Sequence, residues 1–228
     1  MTRRTNARLA GFMFLFYIAT GITSMVLFGR AAGGEGTVAR LASIAQHATT
    51  VRLTIVLTLL TFVDAVVLAV TLYALTRDVD RDLALLALCC RVSEGVIGAI
   101  STVRTLGLLS VATAGTALAA SDAAAARALG ALLLSMGGWA GTIAATCFAV
   151  GSTLYSYLFL RARSIPVPLA WLGVLASILL VVLLPAQLAG FVKGPVTDFM
   201  WIPMLVFEVA LALWLLIKGV AARATPAR

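Results

Sequence analysis

Charged residues and the side chains used most often in catalysis are scarce in this sequence. Only 11% of its 228 residues are charged, whereas 62% are hydrophobic, and its mean hydropathy is +1.07. A soluble domain has about 25% charged and about 45–50% apolar residues. The chain therefore has too few polar groups to cover a globular surface. We predict an all-α polytopic transmembrane bundle, a single integral membrane domain over residues 1–228, with the lipid bilayer as its surroundings.

Histidine and lysine are almost absent, which limits catalysis and metal binding. His47 is the single histidine, and it falls in a loop, where it is either a surface residue or a proton sensor. The lysines, Lys193 and Lys218, lie at span ends, so no Ser–His or Ser–Lys pair shares a membrane depth. HExxH, Walker A and GxGxxG motifs are missing. The cysteines lie in apolar runs without CxxC spacing: Cys89, Cys90 and Cys147. We predict no cofactor and no metal.

The net charge of +8 does not indicate a nucleic-acid partner. The basic residues fall in short loops between apolar runs, as membrane topology and anionic lipids require. No basic helix with interleaved aromatic residues remains to bind nucleic acid.

Apolar runs long enough to cross a bilayer, about 20 residues each, recur along the chain. The predicted spans are residues 9–29, 53–75, 83–110, 130–160, 166–191 and 200–220. Six spans place both termini on the same side of the membrane. With the N-terminus inside, inner segments hold ten Lys and Arg residues, among them Arg223 and Arg228, and outer loops hold five. This asymmetry predicts an N-in, C-in orientation.

Two connections are longer than the others. Residues 30–52 have a glycine-rich start followed by apolar residues at helical spacing, which predicts a short amphipathic helix. Its predicted apolar face consists of Val38, Leu41, Ala42 and Ala45. Residues 112–127 are alanine-rich, and we expect a loop with a short helical turn there.

Five ionisable residues interrupt the predicted spans: Asp64, Arg91, Glu94, Arg104 and Glu208. Each charge near a helix centre costs about 2.5–3.5 kcal/mol on insertion scales, so such residues have a function or a partner. Arg91 and Glu94 are three residues apart and share one helix face, which lowers the cost of burying both. Arg104 is nearer the predicted outer face, where a long side chain can snorkel to the interface.

Small and polar residues accompany these charges and predict which helices meet. Thr54, Thr58 and Thr61 form a stripe with Asp64 on the second span. The face that holds Arg91 and Glu94 continues through Gly98, and the fourth span holds a GxxxG pair. Three glycines are thus candidates for close helix packing: Gly98, Gly137 and Gly141. We expect spans 2, 3 and 6 to meet around a polar cluster of Asp64, Arg91, Glu94 and Glu208.

The predicted cluster permits several functions. Three acids outnumber the arginines, so a protonated acid, a cation or a ligand amine would balance the charge. One hypothesis is that the protein binds or transports a small molecule, ion or lipid, with Arg91 anchoring an anionic group. A second is a structural or regulatory partner protein whose buried charges only specify helix packing. A third is an intramembrane enzyme that uses the carboxylates as general acid and base. Substrate and oligomeric state are left open.

Three stretches resemble one family: CCRVSEGVIGAI, GSTLYSYLFLRARSIPVPLAWLGV and WIPMLVFEVALALWLLIKG. They are similar to uncharacterised bacterial multi-pass membrane proteins grouped as domain of unknown function 4386. The resemblance implies a helical bundle in the bacterial plasma membrane and transfers no mechanism. The positions that carry it are Arg91, Glu94, Tyr155, Arg161, Pro166, Trp201, Pro203 and Glu208.

Overall fold

The structure, a computed structural model, describes residues 2–114 and 120–220, and this part of the chain is helical with no strand. Its helices in chain order are α1 (Arg3–Ala31), α2 (Gly36–Gln46), α3 (Ala48–Thr76), α4 (Arg81–Ala114), α5 (Ala120–Ala162), α6 (Val167–Leu188), α7 (Val196–Phe199) and α8 (Ile202–Ile217). Within the described residues, six segments are long and apolar enough to cross a membrane: α1, α3, α4, α5, α6 and the stretch Val196–Ile217. The predicted all-α class with six candidate membrane spans is confirmed, and the apolar helices are suited to contact with a lipid bilayer.

The helices extend beyond most of the predicted spans. The first four spans lie inside α1, α3, α4 and α5, whereas the fifth and sixth run past α6 and α8 at both ends. Pro185 is accommodated inside α6, and Pro203 occupies the first turn of α8, where its missing N–H costs no helical bond. The N-in, C-in orientation stays a prediction, and two of its supporting residues, Arg223 and Arg228, lie outside the described residues.

The alanine-rich segment is more helical than expected. Residues 112–114 end α4, and residues 120–127 begin α5, so the predicted loop is limited to positions 115–119, which lie outside the described part. Alanine has the highest intrinsic helix propensity, and it extends both helices past the apolar runs.

The amphipathic helix between the first two spans is present as α2, but its buried face differs from the predicted one. Leu41 and Ile44 are buried, whereas Val38 is 60% exposed. Two glycines with positive φ, Gly34 (113°) and Gly36 (79°), make the turn from α1 into α2, a conformation that glycine adopts without strain.

Internal contacts divide the chain into two compact units. Unit 1 consists of Met1–Tyr17, Asp64–Gly95 and Thr142–Arg228; unit 2 consists of Ile18–Val63 and Val96–Gly141. Each has its own apolar core. The core of unit 1 includes Leu68, Leu72, Phe159, Leu180 and Leu211, and that of unit 2 includes Ile44, Val51, Leu108 and Leu109. A single integral membrane domain over residues 1–228 stays a prediction.

In unit 1, α1 and α8 approach each other closely at Gly11. A methyl group on Gly11 would lie 2.6 Å from the Ala212 carbonyl oxygen and 2.9 Å from the Leu216 backbone nitrogen. Small residues at helix contacts allow membrane helices to pack backbone against backbone. Gly11 is not among the glycines predicted from the sequence to pack helices closely.

The start of α4, which positions the charged residues of unit 1, is fixed by a polar contact. Asp80 precedes the helix, and its carboxylate accepts hydrogen bonds from the Leu83 backbone N–H (3.2 Å) and from Arg161 Nη1 (2.9 Å). The hydrogen bond from Leu83, supported by Arg161, lowers the pKa of Asp80. A carboxylate in this position satisfies an N–H that has no partner within the helix.

Candidate functional site

Arg91 is the centre of the charged cluster in unit 1. Its side chain lies on α4 and is only 1% exposed. Nη1 lies 2.9 Å from Oε2 of Glu94, one turn later on the same helix, as the i, i+3 spacing predicts. The contact is an ion pair without hydrogen-bond geometry, since the Nε, Nη1 and Nη2 atoms of Arg91 have no hydrogen-bond partner among the described residues.

Two aromatic rings complete the surroundings of Arg91. Its Cζ lies 5.3 Å from the centre of the Tyr17 ring and 4.6 Å from that of Phe148. Both distances are within the range of cation–π attraction, which strengthens when the cation is removed from water. The Tyr17 hydroxyl donates a hydrogen bond to Oε1 of Glu94. Tyr17 thus contacts both members of the ion pair.

A glycine makes room for the Arg91 side chain. A methyl group on Gly151 of α5 would lie 3.1 Å from Cγ of Arg91 and 3.2 Å from the Ala87 carbonyl oxygen. Tyr17, Phe148 and Gly151 were not among the predicted site residues. Gly151 opens the second of the three family-like stretches, a signal that sequence reasoning passed over.

Glu208 reaches the same cluster from α8. It is 6% exposed, and with Arg91, Ser152, Tyr155 and Ser156 it lines a cavity of about 10 Å³. A cavity of this size holds about one water molecule. Pockets for drug-sized ligands are about 300–1,000 Å³, far larger than this one.

Asp64 is the fourth member of the predicted cluster. It lies on α3, is 3% exposed, and interacts electrostatically with Arg91. Both of its carboxylate oxygens, and Oε1 of Glu208, are buried without a hydrogen-bond partner in the described part of the chain. Oε2 of Glu94 also has no hydrogen bond in the described residues and is held to Arg91 by charge alone. The four predicted residues thus lie in unit 1 within electrostatic reach of Arg91, and Glu94 is the acid that forms an ion pair with it.

The predicted packing glycines have different surroundings. A methyl group on Gly137 would meet the Arg104 guanidinium in unit 2, with Cζ 2.7 Å away. At Gly98 and Gly141 a methyl group would meet no atom of the described structure within 4 Å. The structure thus provides no close helix approach at these two positions. The close contact at Gly137 is with a side chain and not with a helix backbone.

The threonine stripe of the second span is divided between the units. Asp64 belongs to unit 1, whereas Thr54, Thr58 and Thr61 belong to unit 2 and line a groove there with Arg104. The alignment of these residues on one helix face therefore does not make them one site.

The described residues contain no group of three or more His, Cys, Asp or Glu side chains placed to hold a metal ion. The three acids of the cluster do not form such a group.

A protein-family model matches residues 9–219, nearly the whole chain, and its description is Domain of unknown function (DUF4386). The chain belongs to this family. The matched region contains every residue of the charged cluster, and the predicted family resemblance is confirmed. No curated protein and no solved structure matches the chain. The family description assigns no activity, so function has to be argued from the site.

Proposed function

We propose that this protein is an integral membrane protein that binds and exchanges a proton at Asp64 and Glu208, in the cluster where Arg91 is the fixed counter-ion of Glu94. The observation that carries the proposal is the set of buried carboxylate oxygens on Asp64 and Glu208 that lack a hydrogen-bond partner among the described residues. Leaving an ionised carboxylate buried and unpaired is costly, and a proton removes that cost.

Charge balance supports the same reading. The cluster holds three acids and one arginine, so full ionisation would leave two uncompensated negative charges within the cluster. Glu94 is paired with Arg91, which leaves Asp64 and Glu208 as the acids that take up and release the proton. Because Arg91 faces Glu94, we assign it the role of counter-ion and not the role of an anion anchor.

The size of the cavity favours a proton over a larger ligand. About 10 Å³ beside Arg91 and Glu208 leaves room for a water molecule that could carry a proton, but none for a solute. Ionisable residues inside membrane proteins commonly form proton relays. Proton binding of this kind would serve transport or regulation.

The proposal is tested by infrared difference spectroscopy of the full chain in detergent across a pH titration. We expect a carboxylic acid carbonyl band that titrates and that is lost or reduced in Asp64→Asn or Glu208→Gln. Glu35→Gln, which changes an acid in the connection between α1 and α2, is the matched control and should leave the band unchanged. A spectrum with no such band in the wild type, or a band insensitive to both cluster variants, would contradict proton binding.

A structural role is the second candidate, and the tight packing of Arg91 against Tyr17, Phe148 and Gly151 favours it. On this reading the charges specify which helices pair. Asp64→Asn and Glu208→Gln separate the two functions. A structural role predicts lower stability with no titrating band in the wild type, whereas proton binding predicts that the band disappears in a variant that remains folded.

A further inference from the structure

Unit 2 contains a groove of about 410 Å³ that the proton site does not involve. Residues from four helices line it. Ser24 comes from α1, Thr58 from α3, Arg104 and Thr105 from α4, and Gly137 from α5. Its volume lies in the range of about 300–1,000 Å³ that is typical of small-ligand pockets.

Arg104 is held at the groove by neighbouring polar atoms. Nη1 donates to the Leu133 carbonyl oxygen at 2.8 Å, and Nη2 donates to Oγ1 of Thr105 at 3.2 Å. Nε is buried and has no partner among the described residues. The missing side chain of Gly137 leaves space for the guanidinium, whose Cζ would lie 2.7 Å from a methyl group there. The expectation that Arg104 simply snorkels to an interface does not account for this arrangement.

The groove has a positive charge and no acid to balance it. Arg104 is the charged residue among those that line the groove, and the others are apolar, glycine, serine or threonine. An unbalanced cation in an apolar span costs free energy that a bound anion would offset. Guanidinium groups match phosphate geometry and bind it through two parallel hydrogen bonds.

The hydroxyl groups specify what else the anion should carry. Thr58 donates to the Thr54 carbonyl oxygen at 2.8 Å, Thr61 to that of Leu57 at 2.8 Å, and Ser101 to that of Ile97 at 2.9 Å. The Thr58 hydroxyl also lies 3.4 Å from that of Ser24, and the Thr61 hydroxyl lies 3.0 Å from that of Thr20, so each of these contacts occupies at most one lone pair. A hydroxyl oxygen has two lone pairs, so Thr58 and Thr61 each keep one as an acceptor and Ser101 keeps both. A ligand that pairs with these oxygens must supply hydrogen-bond donors.

We propose that the groove binds a phosphate ester that carries free hydroxyl groups. The phosphate would pair with Arg104, and the hydroxyls would donate to the oxygens of Thr58, Thr61 and Ser101. This chemistry occurs in a phosphatidylglycerol headgroup and in free glycerol phosphate. The inference concerns unit 2 and is independent of proton binding in unit 1.

The test measures binding to the full chain in detergent, with glycerol 3-phosphate followed by calorimetry and with phosphatidylglycerol followed by native mass spectrometry against phosphatidylcholine. We expect Arg104→Gln to weaken binding by about tenfold or more, since it removes a charged hydrogen-bonding group. Arg127→Gln is the matched control. Arg127 is an exposed arginine of the same unit that donates Nε to the Ala123 carbonyl oxygen at 3.1 Å, and it does not line the groove.

A second pair of variants keeps the charge of Arg104, so that the test does not depend on Arg104→Gln alone. Gly137→Ala should displace the guanidinium and weaken binding severalfold, whereas Gly98→Ala, with no atom of the described structure within 4 Å of the new methyl group, should not. Binding of phosphatidylglycerol alone would identify a lipid site, and binding of glycerol 3-phosphate would identify a solute site. The proposal is overturned if neither probe binds, if inorganic phosphate binds as tightly as glycerol 3-phosphate, or if Arg127→Gln loses as much affinity as Arg104→Gln.

Discussion

Arg91 and Arg104 lie on the same helix, α4, and the two units surround them in opposite ways. In unit 1, Arg91 is paired with Glu94 and packed on two aromatic rings, beside a cavity of about 10 Å³. In unit 2, Arg104 is bonded to a backbone carbonyl and a threonine hydroxyl, beside a groove of about 410 Å³ with no acid in its lining. The charge of Arg91 is balanced by a carboxylate of the protein, whereas no acid lies in the lining of the groove beside Arg104. Position on one apolar helix therefore does not determine how an arginine is surrounded, because the surrounding groups come from the neighbouring helices.

The largest effect is expected from Glu94→Gln, which breaks the pair in unit 1. Arg91 would keep its charge while losing the partner 2.9 Å away, and removing one member of a buried pair costs about 3–5 kcal/mol. Equilibrium unfolding in mixed detergent would measure this loss. Arg104→Gln, which has no acidic partner to leave behind, should cost clearly less. Equal losses in the two variants would mean that the pairing of Arg91 does not distinguish the units.

Tyr17→Phe tests the hydroxyl hydrogen bond in the same environment. It keeps the ring beside Arg91 and removes the hydroxyl that donates to Glu94. A hydrogen bond to a charged group contributes about 1.5–3 kcal/mol, so the free energy of unfolding should fall by that amount. In the double variant with Glu94→Gln the further loss should be much smaller, because the two groups interact. Additive losses would show that Tyr17 acts independently of the ion pair.

Two glycines on α1 compare the packing of the units directly. Gly11→Ala in unit 1 would place a methyl group 2.6 Å from the Ala212 carbonyl oxygen, and backbone cannot move aside cheaply. Overpacking of this kind typically costs about 1–3 kcal/mol. Gly21→Ala, in the groove of unit 2, meets no atom of the described structure within 4 Å and should be neutral or stabilising by up to about 1 kcal/mol through helix propensity. If Gly21→Ala lowered the free energy of unfolding more than Gly11→Ala, the surroundings of Gly21 in unit 2 would be the more tightly packed.

Hydropathy and the rarity of charges in apolar spans were sufficient to predict the helical class and the four residues of the cluster. Both signals are local, since a charge in hydrocarbon is costly whatever surrounds it. The sequence could not indicate that Tyr17 and Phe148 surround Arg91, because aromatic residues are common in spans and their partners depend on how α1 and α5 pack. For the same reason Gly11, which is in close contact, was missed, while Gly98 and Gly141 were selected by spacing alone. Asp64 and the threonines of α3 likewise fall in different units because different helices pack against them. Periodicity along α3 alone does not contain that information.

A third arginine contact, between Arg161 and Asp80, lies outside the predicted spans and can be compared with those of Arg91 and Arg104. Asp80 accepts hydrogen bonds from the Leu83 N–H and from Arg161, and these contacts lower its pKa in the folded state. A lowered folded-state pKa means that the contribution of Asp80 to stability is complete above its unfolded pKa of about 3.9 and is lost as the pH falls through the folded value.

Asp80→Asn should therefore be slightly less stable than the wild type at neutral pH, with the difference shrinking in acid. Unfolding measured from neutral pH into the acid range would reveal this convergence. The matched variant Asp82→Asn removes an exposed acid from the same first turn of α4 and controls for the loss of one negative charge there. If Asp80→Asn kept a constant difference at every pH, the carboxylate charge would not be what fixes the start of α4. The Asp80–Arg161 pair would then contribute even less to the free energy of unfolding than is usual for a pair near the surface, and far less than the buried pair of Arg91.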